Sequence, residues 1–164
     1  MFRPDLVDVW VFRVGSDAGG GVELLLLRRS AGRILAGLWQ GVSGSLEAGE
    51  RVVAGALREL QEETGIDAEA IEAFYDLDQV NQFHEPSVDA IVTAAIFAVR
   101  VRPDIEPALS HEHDALRWVS PAVALELVVW PAYRESIARI ERDLMDTNHA
   151  RWFELTLDGA RVVG

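Results

Sequence analysis

The sequence predicts a single α/β domain, and three observations carry that prediction. Apolar, strand-like runs stand at 7–14, 22–27 and 90–99. Between the second and third lies a segment whose apolar residues Val53, Ala56, Leu57 and Leu60 recur at helical spacing. Near the end, Ser120-Pro121 and Pro131 each open a helical pattern. At 164 residues the chain is long enough for one real core and too short for two.

Taken in order, Val7 to Val14 alternates and is rich in Val, Trp and Phe, the residues that suit a pleated strand. Ser16-Asp-Ala-Gly-Gly-Gly21 supplies a flexible turn, so the apolar run Val22 to Leu27 is expected to return as a hairpin partner. Arg28 and Arg29 end it; one of them, or Arg33, could contact a substrate phosphate, or they are solvated charges capping a strand. Gly37 to Ser45 leads into the central helix. That helix lacks a Ser, Thr or Asp cap, since Arg51 stands there, and Gly55 in its interior costs about 1 kcal/mol against Ala. Gly55 is expected to let the helix approach a strand, and Gly65 to serve as a left-handed C-cap.

Ala68 to Leu77 is expected to hold a further strand and Asp78 to Pro86 a loop. In that loop Asn81, Gln82, Phe83 and His84 offer amides, a ring face and an imidazole, as base recognition would require. Ala90 to Val99, almost unbroken in its apolarity, reads as the central strand. Arg102 to Ala108, with its prolines, is a connection; Ser110-His-Glu-His113 follows, and Ala115 to Val119 returns to strand. The His-x-His spacing lacks a third firm ligand for zinc. A short helix is expected from Pro121 to about Val128, then one from Pro131 with Ile137, Ile140 and Leu144 as its apolar stripe and Glu135–Arg139 as an outer pair. Arg151 to Val163, turning at Asp158-Gly159, reads as a terminal hairpin that could extend a sheet or form a homodimer contact.

Composition narrows the function. There is no cysteine, which excludes thiolate metal sites and thiol nucleophiles and suits a reducing cytoplasm. No run approaches the roughly 18 apolar residues of a membrane span, so no membrane partner is expected. The formal charge of −12 argues against a nucleic-acid polymer, whose backbone needs a basic face, while small nucleotides stay open because a metal can bring their phosphates to an acidic site. All 15 cations are Arg, so a side-chain phosphate clamp would use guanidinium forks.

The central helix also poses an electrostatic problem. At roughly 100° per residue, Glu62 lies about −60° and Glu63 about +40° from Glu59, so three carboxylates share a narrow sector. Like charges at this spacing destabilise a helix, and only Arg58 is local. A divalent cation supplies the missing charge, and hard oxygen donors favour Mg²⁺ or Mn²⁺. The acids come with Gly44 and Glu50 ahead, Arg58 within, and Gly65-Ile66 behind.

That full pattern, Gly-x5-Glu-x7-Arg-Glu-apolar-x-Glu-Glu-x-Gly-apolar, resembles the signature of the Nudix hydrolases, with every specified position filled. The resemblance implies a mixed sheet between helices, the Nudix α/β/α sandwich, and water attack on phosphorus in a nucleoside diphosphate linked to another group. It places Glu59, Glu62 and Glu63 at the metal positions, with the Gly44 carbonyl as a further ligand and Arg58 and Glu50 orienting the acids. The segment Trp39-Gln40-Gly-Val42-Ser43-Gly44-Ser45 further resembles the subgroup of dATP and dihydroneopterin triphosphate pyrophosphohydrolases, which release pyrophosphate from a triphosphate. Trp39 could offer a ring surface to a base or pack in the core; Gln40 could bond a base edge or fix its loop; Ser43 belongs to the same substrate-facing segment. Glu112 matches a carboxylate that the family takes from outside the signature, as metal ligand or general base. The implied reaction is Mg²⁺-dependent hydrolysis of a nucleoside triphosphate or related triphosphate, with Glu59 or Glu112 as base. Dinucleoside polyphosphates, nucleotide sugars and a non-catalytic nucleotide sensor are its rivals. The terminal hairpin departs from the subgroup.

Overall fold

The computed structural model describes residues 3–15 and 20–163, so most of the expected Ser16–Gly21 turn lies outside the described residues. Its eight strands form one mixed sheet: β1 (Leu6–Val14), β2 (Val22–Arg29), β3 (Trp39–Gln40), β4 (Val42–Ser45), β5 (Ile71–Glu85), β6 (Ala90–Val101), β7 (His113–Val119) and β8 (Glu154–Leu155). The main path runs β3-β2-β1-β6-β5-β8, with β4 on β1 and β7 on β2. Among the described residues only β1 and β6 pair in parallel. The hairpin partnership of β1 and β2 is present but short, Phe12↔Leu24 to Val14↔Val22. Beyond it the strands diverge, and β3 and β4 fill the gap, β3 on β2 and β4 on β1.

β2 reads as an apolar run because both its faces are covered, and β1, whose sequence was expected to alternate, is covered on both faces as well. Val7, Val9, Val11, Leu25 and Leu27 face α1 (Val52–Thr64) through Ala56 and Leu60. Trp10, Phe12, Leu24 and Leu26 face the opposite layer, built from α2 (Pro121–Leu127), α3 (Pro131–Asp143) and α4 (Thr147–Ala150) through Ala124, Ile137, Ile140 and Ala150. Helices on both faces of a mixed sheet are the expected sandwich. Ser120 caps α2 by accepting from the Val123 amide, and Pro121 and Pro131 sit in the first turns of α2 and α3.

Three local expectations are corrected. Asp78 to Glu85 is no loop: β5 continues through it, pairing with β6 to Glu85↔Ala90, so that Asn81 and Phe83 ride on a strand and only 86–89 turns. A register shift between Asp76 and Gln79, with Asp78 at φ 50°, carries this polar arm past the core, which is why its sequence lacks an apolar stripe. Gly55 does not meet a strand; a Cβ there would lie 2.3 Å from Leu46 Cδ2 and 2.9 Å from Glu50 Oε2, so the glycine admits the loop ahead of α1. The C-terminal hairpin is present in reduced form: β8 adds to β5 through Phe74↔Leu155, and its return arm is the single bridge Leu155↔Arg161.

Candidate active site

α1 is held at its C-terminal end. Arg51 at its start makes no side-chain cap, while Gly65 at φ 70° returns its amide to the Gln61 carbonyl at 2.8 Å. Two further carbonyls of the last turn are taken by the loop after β6: Ala108 N–H to Thr64 O at 2.8 Å and Ser110 N–H to Glu63 O at 3.4 Å. The same loop is tied to the end of β2, where Ser30 donates its amide to Glu112 O at 2.9 Å and its hydroxyl to His111 O at 3.1 Å. These ties bring Glu112 against the α1 acids, although 49 residues separate it from Glu63.

Arg58 organises the other side of the cluster. Its guanidinium donates to both Glu50 oxygens at 2.8 and 3.0 Å, to Glu59 at 2.8 Å, to Glu62 at 3.2 Å and to the Ser45 carbonyl at 2.9 Å. The Arg58 fork holds the Glu50 carboxyl at about 2 and is itself pushed upward in return. Glu59 packs onto Gly44 so closely that a Cβ there would stand 1.9 Å from Glu59 Cδ. Burial raises Glu59, offset by Arg58. Glu63 is almost fully buried, and desolvation, then Glu112 and Glu59, lift it to about 8; the Ser43 amide and Arg29 draw it partway back.

Among the described residues no three acids or imidazoles are already closed into a ligand cage. The donor set nevertheless fits a hard divalent cation. Glu63 Oε2 is buried without a hydrogen-bond partner, and the neighbouring donors are carboxylate and carbonyl oxygens. A cation there would offset the desolvation, and the repulsion from Glu112 and Glu59, that raise Glu63.

Across β4 lies a cleft of about 970 Å³, whose walls include Arg29, Ser43, Asn81, Phe83, Trp130 and Tyr133. Gln40 also reaches it, yet is buried with its amide 3.3 Å from His113 Nε2, so it fixes the strand junction. Arg29 donates to Ile34 O at 2.7 Å. Arg28 instead pairs with Asp114 at 2.7 Å, and Arg28 and Arg117 flank the half-buried Trp39 ring at 5.8 and 5.9 Å; neither Arg28 nor Trp39 lines the cleft.

Sequence reasoning missed Asp8, Trp130 and Tyr133. Asp8 is 7% exposed on the cleft floor, lifted by burial to about 6 with the Ser43 side chain opposing the shift. An acid on the same strand face as Trp10 and Phe12 was the available signal.

The model of the NUDIX domain matches residues 4–140. The chain belongs to the Nudix family. Among relatives of this Nudix chain, an octanoyltransferase of Myxococcus xanthus is 39% identical over 123 residues, 74% of the chain but 33% of that protein. The chain thus spans about a third of that relative's length. A CTP pyrophosphohydrolase of Escherichia coli is 35% identical over 67% of the chain and 76% of the relative. A pig bis(5'-nucleosyl)-tetraphosphatase is 36% identical over 65% and 69% respectively. A Nudix hydrolase structure from Listeria monocytogenes superposes with a TM-score of 0.72 at 26% identity, covering 87% of this chain and 95% of that one. Family match and fold agree on a Nudix domain. No helix of the described residues is long and apolar enough to cross a membrane.

Proposed function

We propose that this Nudix enzyme hydrolyses a phosphoanhydride bond of a nucleoside triphosphate or related triphosphate, releasing pyrophosphate and a monophosphate. The observation that carries the reading is the place of β4 between the two features: Ser43 pairs in register with Asp8 on the cleft, and the adjoining Gly44 takes the Glu59 carboxyl of the acid cluster. A ring seated in the cleft therefore has its phosphates directed toward the acids. The likeness to the CTP pyrophosphohydrolase supports a triphosphate substrate, whereas the tetraphosphatase relative supports a dinucleoside polyphosphate as the second reading.

In the proposed mechanism Glu59, Glu62, Glu63, Glu112 and the Gly44 carbonyl would hold Mg²⁺ or Mn²⁺, which neutralises phosphate charge and acidifies water. Arg58 keeps Glu59 and Glu62 directed, with Glu50 anchoring Arg58 in turn. Arg29, on the cleft wall, offers a guanidinium to phosphate oxygens. Of the two candidate bases, Glu59 has an oxygen engaged by Arg58 at 2.8 Å, while Glu112 meets Arg33 only at 3.7 Å. We assign the proton from attacking water to Glu112.

The test is a panel of nucleoside triphosphates, dinucleoside polyphosphates and nucleotide sugars with Mg²⁺ and Mn²⁺, read by phosphorus NMR. Pyrophosphate and a monophosphate from a triphosphate are expected. Exclusive cleavage of dinucleoside polyphosphates would favour the second reading, and binding without turnover of any of them would sink both.

A further inference from the structure

The loop that leads into α1 is held by a residue that precedes β1. α1 begins without a side-chain cap and without an acid in its first turn, so its start relies on other ties. Arg3 supplies one. A single nitrogen of its guanidinium, Nη2, donates to the Glu47 carbonyl at 2.9 Å and to the Glu50 carbonyl. A cation beside the positive end of a helix is unfavourable on dipole grounds alone, so these bonds, and the attraction of the Glu50 carboxylate, hold Arg3 there. The arm that carries Arg3 is itself fixed. Asp5 gives its amide to the Thr93 carbonyl at 2.9 Å and accepts on Oδ2 from the Thr93 amide and hydroxyl at 2.9 and 3.0 Å. The Asp5 carbonyl takes the Leu46 amide at 3.0 Å, and the ring of Pro4 closes the φ angle between Asp5 and Arg3. Arg3 thus reaches the loop from a rigid base on β6.

From Arg3 an unbroken series of hydrogen bonds leads to the acids. Within the loop the Glu50 amide returns to the Glu47 carbonyl at 3.2 Å, and the Glu47 amide donates to Glu50 Oε2 at 3.0 Å. Fixing the two carbonyls therefore fixes the Glu50 carboxylate. That carboxylate takes the Arg58 fork at 2.8 and 3.0 Å, and Arg58 in turn holds Glu59 at 2.8 Å and Glu62 at 3.2 Å. We propose, building on the hydrolytic reading above, that Arg3 is a positioning residue for the reaction: by pinning the 47–50 loop it sets the Glu50 carboxylate, and through Glu50 and Arg58 it aims Glu59 and Glu62. Arg3 does not line the cleft, so it acts on the acids and leaves substrate binding alone.

The experiment compares Arg3→Ala and Arg3→Lys with the parent chain by two readouts. The first is the Nε–H resonance of Arg58 in isotopically labelled, metal-free protein, assigned with Arg58→Lys. Arg3→Ala should speed the exchange of this bonded proton about 10-fold or more. Arg3→Lys, whose ammonium can donate to both carbonyls, should restore the slow rate. The second is steady-state hydrolysis of the preferred triphosphate well below the melting temperature. Arg3→Ala should lower kcat about 10-fold and raise the Mg²⁺ concentration for half activation, with KM for the nucleotide unchanged. In a Glu50→Gln background Arg3→Ala should add nothing further, because the link is already cut. Ser120→Ala removes the cap of α2 on the far face of the sheet and serves as the control for general destabilisation; it should leave both readouts unmoved. An Arg58 exchange rate or a kcat unmoved by Arg3→Ala, full additivity with Glu50→Gln, or the same losses in Ser120→Ala overturns the proposal. The resonance needs no turnover, so a faster Arg58 exchange in Arg3→Ala, from a parent that hydrolyses nothing, would refute the hydrolytic reading alone.

Discussion

At the scale of single residues, Gly44 and Glu63 carry the sharpest expectations. A methyl at Gly44 would occupy the space of the Glu59 carboxyl, so Gly44→Ala must displace that acid by about an ångström. We expect a fall in kcat on the order of 100-fold with the fold retained, measured by steady-state kinetics and circular dichroism. Glu63→Gln keeps the shape but removes the charge of the most buried acid in the cluster, and turnover of every accepted substrate should drop at least as far. Undiminished turnover would contradict the metal assignment. Asp8 gives a stability test. Its folded value, about 6, lies above the ordinary 3.8, so the native state holds this proton more tightly than the unfolded chain. Stability from this group is therefore full below pH 4 and is lost as pH rises from about 4 to 6, by about 3 kcal/mol. Asp8→Asn should flatten that part of a denaturation profile and leave the protein more stable than the parent at pH 7.

At the scale of elements, α1 depends on its C-terminal closure. Gly65→Ala forces a side chain into the left-handed region at φ 70°, and we expect a loss of about 1 kcal/mol by urea denaturation. The helix, its C-cap and the double-faced strands were legible because each has a local signature: spacing of 3.6, a terminal glycine, continuous apolarity. β5 was not. Its outer half is a strand by backbone pairing with β6, while Asn81, Gln82, Phe83 and His84 bury too little to leave a period in the sequence. Glu112 was legible through family resemblance alone, since its position depends on ties from Ser30 and the end of α1 that no spacing encodes. Trp39 and Arg28 resemble substrate-binding residues in type, yet they stack and pair with Arg117 and Asp114 away from the cleft.

At the scale of the whole molecule, on the metal assignment proposed above, folding crowds Glu59, Glu62, Glu63 and Glu112 together and so would make the folded state a better host for a divalent cation than the unfolded chain. Mg²⁺ should therefore raise the melting temperature, by a stabilisation of about 2.7 kcal/mol at a hundredfold excess over its dissociation constant. The rise should shrink in Glu63→Gln, and calorimetric scans of both proteins with and without Mg²⁺ check it. The four-residue strand β4 divides this molecule into two territories. On one side lie the acids to which the proposed reaction assigns metal and water; on the other lie β1, the β5 arm and the start of α3, which line the cleft. On the proposed function, such a partition would let mutation explore new substrates while the acids of α1 are inherited unaltered.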